Sequence, residues 1–305
     1  ARALVNAAGP WVSRFLDEAV HAGDAPAVTL VKGSHVVVRR LYEHDYAYVF
    51  QHTDGRVVFA IPYERDFTLI GTTDVLYEGD PAAPAISADE VRYLCDAVNR
   101  YFTMPVRPAD VVSAYSGVRP LHDDDGAGNA SALSRDYTLR LDTHGAPLLN
   151  VLGGKLTTYR RLAHEACRRL APELGCGADD WTATAPLPGG DLADADFDGF
   201  LASLRRRHPW LPEGLSRRLA HAYGTRVKDV LGEATGLDDL GEHFGAGLYE
   251  AELRYLVRHE WAATAEDVLW RRSKLGLVLD ADAAARIEAW MAGRSVAGGY
   301  EAMGS

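Results

Sequence analysis

The chain is 305 residues long, with 29 glycines and 14 prolines scattered rather than periodic, which excludes collagen-like and linker-dominated chains. A formal net charge of −11 repels nucleic acid as a whole, so an anionic ligand has to be gripped by a few local cations. The length suits about two domains, three cysteines without a CxxC pair suit a reduced, cytoplasmic setting, and no apolar run is long enough for a spanning helix.

The chain opens with a strand-like Ala3–Ala8, a Gly9-Pro10 turn and a helical Trp11–Leu16, which together form one α/β unit. Standing alone at the start, this unit reads as the end of a doubly wound sheet whose earlier part is missing, so the chain reads as a fragment. From Val28 to Thr73 the pattern is β. Val28–Val31 leads through Lys32-Gly33-Ser34-His35, read as a glycine-bearing turn, into Val36–Val38. Tyr46–His52 and Arg56–Pro62 flank Thr53-Asp54-Gly55, a strong hairpin signal, and Phe67–Ile70 gives a further strand. Ser87 and Glu90 make a capping box for a helix whose face is Val91, Leu94, Cys95, Val98 and Phe102. Tyr137–Asp142 and Pro147–Leu152 predict a second hairpin, after which Gly153-Gly154-Lys155 opens a helix with Tyr159, Leu162, Ala163, Ala166 and Leu170 on its apolar side. Beyond Leu174 the chain reads as short helices, with Leu201, Leu204, Leu248, Ala251 and Tyr255 at helical spacing, and predicts an appended all-helical domain from about residue 180.

Several familiar signatures fail on single residues. A phosphate loop at Gly154-Lys155 needs glycine where Leu149 stands and Ser or Thr where Leu156 stands. His259-Glu260 and His164-Glu165 meet Ala263 and Arg168 where a zincin needs its second histidine. Asp123-Asp124-Asp125-Gly126 ends in Ser134 rather than the glutamate of a calcium loop. No metal site and no hydrolase triad survive.

What remains is a set of cations on glycine-bearing turns: Lys32 and His35, Arg119 in Ser116-Gly117-Val118-Arg119-Pro120, Arg135 in Ser134-Arg135-Asp136-Tyr137, and Lys155. In an acidic chain such cations suit capture of a small anion, since guanidinium groups hold phosphate or carboxylate by paired hydrogen bonds. Surface pairing of Arg119 and Arg135 with Asp123–Asp125 or Asp136 is the plainer alternative. Two glycines before the helix at Lys155 expose N–H groups that favour negative charge, as on a reduced flavin, or else they simply make a tight turn. His35 is either a proton acceptor or a satisfied core histidine, and Trp11 either a cofactor contact or packing.

Taken together, Asn6-Ala7-Ala8-Gly9-Pro10-Trp11, Lys32–His35, Ile70-Gly71-Thr72-Thr73-Asp74, Ser116–Leu121, Ser134–Tyr137 and Gly153–Arg160, in that order, resemble the FAD-dependent glycerol-3-phosphate dehydrogenases. The tail extends the likeness through Tyr249–Glu252, His259–Ala262, Ala265–Asp267 and Trp270–Leu277. Ala8 replaces the family's usual threonine, and the family's GxGxxG segment for the FAD pyrophosphate is absent. The resemblance implies an α/β fold. Residues 1–20 and 150–174 would belong to a doubly wound FAD-binding domain, 21–149 to a β-rich substrate-binding domain and 180–305 to the helical domain.

It also implies oxidation of sn-glycerol 3-phosphate to dihydroxyacetone phosphate, with electrons passing through FAD to quinone. Arg119 and Arg135 would clamp the phosphate or the C2 oxygen, and His35 would accept the C2 hydroxyl proton, with Lys155 as the other candidate. Lys155, Gly154, Leu156 and Thr157 would face the flavin, with Ala8, Gly9 and Trp11 on its opposite side. Peripheral contact with the cytoplasmic face of the inner membrane and a homodimer are further expectations. Arg205-Arg206-Arg207 beside Pro209-Trp210-Leu211 is the stretch that could touch lipid, unless it is a solvated face. Other readings are a flavin enzyme of the same fold acting on another 2-hydroxy or amino acid, one that reduces oxygen, and a non-catalytic substrate or cap module of a split or truncated enzyme.

Overall fold

The computed structural model describes residues 1–21, 28–52, 55–122, 136–177 and 179–297. They fall into two compact units, Ala1–Ala183 and Thr184–Ser305. The first is mixed α/β. Its strands are β1 (Leu4–Asn6), β2 (Val28–Arg39), β3 (Tyr48–Gln51), β4 (Val57–Tyr63), β5 (Phe67–Gly71), β6 (Val75–Leu76), β7 (Val111–His122), β8 (Tyr137–Asp142) and β9 (Leu148–Gly153). Its helices are α1 (Val12–Phe15), α2 (Ala88–Asn99) and α3 (Tyr159–Leu174).

Two sheets share these strands. In the smaller, β1 lies parallel to β9 and β9 antiparallel to β8. In the larger, β3, β4, β5 and β2 are joined antiparallel, and β2 also pairs with β6 on the β5 side and with β7 along its other edge. The valines that alternate along β2 place Val36 and Val38 on the same face as Val58, Ala60 and Ile70. Helix α2 covers that face with Leu94, Cys95 and Val98, as its heptad spacing predicts. The capping box at its start is complete: Ser87 Oγ accepts from the Glu90 N–H, and Glu90 accepts from the Ser87 N–H at 2.8 Å.

Three local expectations are corrected. Lys32–His35 and Ser116–Leu121 are not turns. Both sit inside twelve-residue strands that pair from Val28↔His122 to Val38↔Val111. Gly33 and Gly117 face each other across that pairing, so these glycines make room above a sheet rather than bend the chain. On α3 the apolar side is narrower than predicted, because Tyr159 and Ala163 stay exposed and burial is concentrated at Leu170 against Leu139 and Leu149.

The second unit contains α4 (Phe197–Arg207), α5 (Glu213–Tyr223), α6 (Val227–Leu231), β10 (His243–Gly245), β11 (Leu248–Tyr249), α7 (Glu250–Glu260) and α8 (Ala281–Ala297). Leu204, Leu219, Phe244, Leu253, Leu256 and Ile287 are among its buried side chains. Among the described residues the unit is helical but for one small hairpin, and Leu248 belongs to that hairpin rather than to a helix. The backbone demands it: Gly245, Ala246 and Gly247 all have positive φ, which no helix accommodates. Trp210 packs against this core and Leu211 is 6% exposed, so the apolar side chains beside Arg205–Arg207 face inward. Among the described residues no helix is long and apolar enough to cross a membrane.

Candidate functional site

Alternation along β2 and β7 sorts the site's residues onto two faces of the larger sheet. Lys32, Ser34 and Ser116 point back toward α2, whereas Gly33, His35, Tyr115, Gly117 and Arg119 share the front. The back is closed. Lys32 Nζ lies 2.8 Å from Glu90 Oε2 and donates to the Ala85 carbonyl at 2.7 Å, and both charged side chains are under 10% exposed. Glu90 Oε1 accepts from the Ser34 and Thr73 hydroxyls, each at 2.8 Å. Burial pushes the Glu90 carboxyl up. The Lys32 ammonium and the hydrogen bonds from Ser87, Thr73 and Ser34 outweigh it and hold the group down at about 2. Lys32, grouped by sequence with the anion-binding cations, is therefore spent on a buried carboxylate facing the other way.

The front is half open. The Arg119 guanidinium lies directly over Gly33, where a Cβ would come within 2.2 Å of Nη2. Nη1 pairs with Asp74, and Nη2 donates to the Thr72 hydroxyl at 3.3 Å. Pairing with an aspartate was the plainer expectation for Arg119, but the partner is Asp74 at the end of the next segment. The remaining guanidinium N–H groups, of five in all, have no partner among the described residues and point to an anion. Beside it the His35 ring covers Gly71, where a Cβ would meet Cδ2 at 2.1 Å, and stacks on Tyr115 with centroids 5.0 Å apart. His35 Nδ1 is buried without a hydrogen-bond partner. Burial first, and the Arg119 charge second, lower the imidazole below its ordinary 6.5. The ring is thus neutral near pH 7 and able to take a proton. The phenol of Tyr115 beside it and that of Tyr63 stay protonated: burial pushes Tyr63 up to about 12, with Tyr115 and Glu64 adding to the rise, and burial also raises Tyr115.

A second cluster forms at the smaller sheet. The buried Asn6 amide donates to the Val12 carbonyl at 3.1 Å and to Asn150 Oδ1 at 3.0 Å, tying β1, β9 and the start of α1 together. Ala8 precedes that turn, Gly9 has φ +58°, and Trp11 is left 37% exposed. At the end of β9, Gly153 and Gly154 take φ of +71° and +94°, conformations that favour glycine, and send Lys155 outward. A short 3₁₀ turn, Leu156–Thr158, then leads into α3. The first N–H groups there, Leu156 and Thr157, precede any helical carbonyl that could receive them. Leu156 is 87% exposed, and among the described residues nothing bonds the Lys155 ammonium. Strand β7 runs beside both β9 and the Gly9–Trp11 turn, so the two clusters border one strand.

The structure thus brings His35 and Arg119 together and sets Gly9 and Trp11 near the end of β9. No contact joins Lys155 to His35 or Arg119 among the described residues, and Arg135, like Asp123–Asp125, lies outside those residues. Sequence reasoning missed Asp74 and Thr72 as partners of Arg119, Glu90 as the counterion of Lys32, and the Asn6–Asn150 pair. Only the capping box hinted at Glu90. Also among the described residues, no group of histidine, cysteine and acidic side chains could hold a metal, and the three cysteines are free thiols.

Comparison with known proteins gives these features a context. Residues 1–160 match the model of the FAD dependent oxidoreductase family, and residues 181–294 match the C-terminal domain of alpha-glycerophosphate oxidase. A glycerol-3-phosphate dehydrogenase of Pseudomonas aeruginosa is 50% identical over 281 residues, which are 92% of this chain and 54% of that protein. A D-erythritol 1-phosphate dehydrogenase of Brucella abortus is 49% identical over 293 residues, 94% of this chain and 58% of the relative. The structure of a glycerol-3-phosphate dehydrogenase from Bacillus halodurans complexed with FAD superposes with a TM-score of 0.80 at 32% identity, covering 96% of this chain and 58% of that one. The chain therefore spans somewhat more than half the length of each of these three proteins.

Proposed function

The chain belongs to the FAD-dependent oxidoreductase family, and we propose that it serves an enzyme that oxidises sn-glycerol 3-phosphate to dihydroxyacetone phosphate. FAD, when bound, supplies the acceptor for the C2 hydrogen and its two electrons. The residues present fit such a group: the glycine turn with Lys155 and the N–H groups of Leu156 and Thr157 would face its electron-rich edge, and Ala8, Gly9 and Trp11 its other side. Arg119, joined by Arg135, would hold the phosphate or the C2 oxygen by paired hydrogen bonds. His35 would take the C2 hydroxyl proton, for which a neutral imidazole is suited and the two raised tyrosines are not.

One observation carries this reading: the His35 ring, its buried Nδ1 without a hydrogen-bond partner, shares one half-open face with a guanidinium pinned over Gly33, so a base and an anion grip lie side by side. The expected product is a ketone phosphate, and quinone is the proposed electron acceptor, met by a homodimer through peripheral contact with the cytoplasmic face of the inner membrane. The second reading is D-erythritol 1-phosphate, favoured by the Brucella abortus relative. The test is a substrate panel with FAD-loaded enzyme containing this chain. Glycerol 3-phosphate is expected to be oxidised far faster than glycerol, and Arg119→Ala to erase most of that preference. Equal rates on the two in wild type would overturn the assignment, and faster turnover of D-erythritol 1-phosphate would select the second reading. Peroxide formed under air would move the acceptor to oxygen, and purified protein without visible flavin absorbance would favour a non-catalytic module.

A further inference from the structure

The segment Thr72-Thr73-Asp74, between β5 and β6, connects the two faces of the larger sheet, with Thr73 bonded behind it and Thr72 and Asp74 bonded in front. Thr73 points back and is 1% exposed. Its hydroxyl donates to Glu90 Oε1 at 2.8 Å and accepts from the Ser34 N–H at 3.0 Å, and its own N–H donates to the Ser34 carbonyl at 3.3 Å. Glu90 is itself fixed by Lys32, Ser34 and Ser87. Thr72 and Asp74 point forward and each binds Arg119, while the Thr72 hydroxyl also donates to the Thr73 carbonyl at 3.0 Å.

Arg119 is a long side chain, about a third exposed, and its strand alone does not choose its direction. Three features do: the Thr72 hydroxyl, the Asp74 carboxylate and the space over Gly33. The first two depend on the pose of their own segment, and that pose is held from behind by the buried Thr73 hydroxyl together with the backbone hydrogen bond from the Thr73 N–H to Ser34.

We propose that Thr73, anchored by Glu90 behind the sheet, is a positioning residue that presets the direction of the Arg119 guanidinium for an anionic substrate. The proposal rests on the reading of Arg119 as a ligand of the substrate's phosphate. An arginine left to rotate has to be ordered when the anion arrives, which weakens binding. One already pinned keeps its free N–H groups aimed. Thr73 touches no substrate and acts only through its neighbours.

The test compares Thr73→Val, which removes the hydroxyl at nearly constant volume, with Thr73→Ser, which restores it, in FAD-loaded enzyme containing this chain. Thr73→Val is expected to raise KM for glycerol 3-phosphate about tenfold while kcat changes less than about threefold, the pattern of lost uniform binding. Thr73→Ser is expected to return KM to within about twofold of wild type. A lower unfolding temperature with unchanged KM would make Thr73 a purely structural residue and overturn the proposal, as would failure of the serine to rescue. If the valine variant does not fold, Thr73→Ala also removes the hydroxyl, and an unchanged KM there overturns the proposal equally. If wild type does not oxidise glycerol 3-phosphate, the functional reading fails on its own. The positioning role is then read from inorganic phosphate by titration calorimetry, with Kd expected to rise in Thr73→Val and to recover in Thr73→Ser, and an unchanged Kd refuting it.

Discussion

Lys32 and His35 are three residues apart on one strand, yet they live in different solvents. The back of the sheet around Lys32 is a closed polar network in which each charge has a fixed partner and α2 excludes water. The front around His35 and Arg119 keeps an unpartnered ring nitrogen, unused guanidinium donors and a Tyr115 that is 48% exposed. A charge that is completely satisfied has nothing left to offer a ligand, and one held by two of its donors has. The pleat, not the residue type, decides which lysine or arginine is available for chemistry.

The sharpest way to break this contrast is at His35. His35→Ala is expected to lower turnover by about two to four orders of magnitude at unchanged FAD content, the usual span for a lost general base. Near-normal turnover would move the proton acceptor elsewhere, with Lys155 the next candidate. The same role fixes a pH profile. The base works when neutral, so kcat/KM should rise with pH through a value below 6.5 and be flat above it. A limb centred above 6.5 would contradict both the burial of the ring and its position beside Arg119.

On the back, Lys32→Met leaves the buried Glu90 carboxylate without its counterion, and is expected to cost about 3–5 kcal/mol of folding stability by chemical denaturation. Arg119→Ala on the half-open front should cost no more than about 1 kcal/mol. Similar losses for the two would erase the difference between the faces. Acid should find the same network. Glu90 is held at about 2, below its ordinary 4.5, so its contribution is complete above pH 4.5 and is lost as pH falls toward 2. In Lys32→Met that acid limb should become shallower, because the largest cause that depresses the carboxyl is gone while the hydrogen bonds from Ser87, Thr73 and Ser34 remain.

The smallest expected effect on folding belongs to Gly33→Ala, and it sharpens the comparison most finely. The new methyl meets the far end of a flexible arginine and the Thr72 hydroxyl rather than backbone, so stability should change by less than about 1 kcal/mol. The displaced guanidinium should nevertheless raise KM for a phosphate substrate about tenfold. A KM that stays at the wild-type value would mean that Gly33 serves the strand and not the arginine.

Much of the local structure was legible in advance. The Ser87–Glu90 box, the apolar stripe of α2, the hairpin of β3 and β4 and the β8–β9 pair follow from spacing and turn chemistry, since each involves residues near one another in the chain. The glycines of β2 and β7 misled, because Gly beside Ser reads as a turn unless the strand opposite is known. Glu90 was legible as a cap and invisible as a counterion. Its partner Lys32 comes from a distant strand, and no local pattern couples the two.

The amino-acid sequence by itself determined which chemistry could be present: a histidine, arginines and a lysine among glycines, in an order matched by a family of flavin enzymes. Only the tertiary structure decided their allegiance. It turned Lys32 toward Glu90, set Arg119 between Asp74 and the bare backbone of Gly33, and buried one edge of His35. The reason is physical. Residue type fixes charge and hydrogen-bonding capacity, whereas availability depends on which face of a pleated strand a side chain leaves from and on what long-range pairing has already placed there.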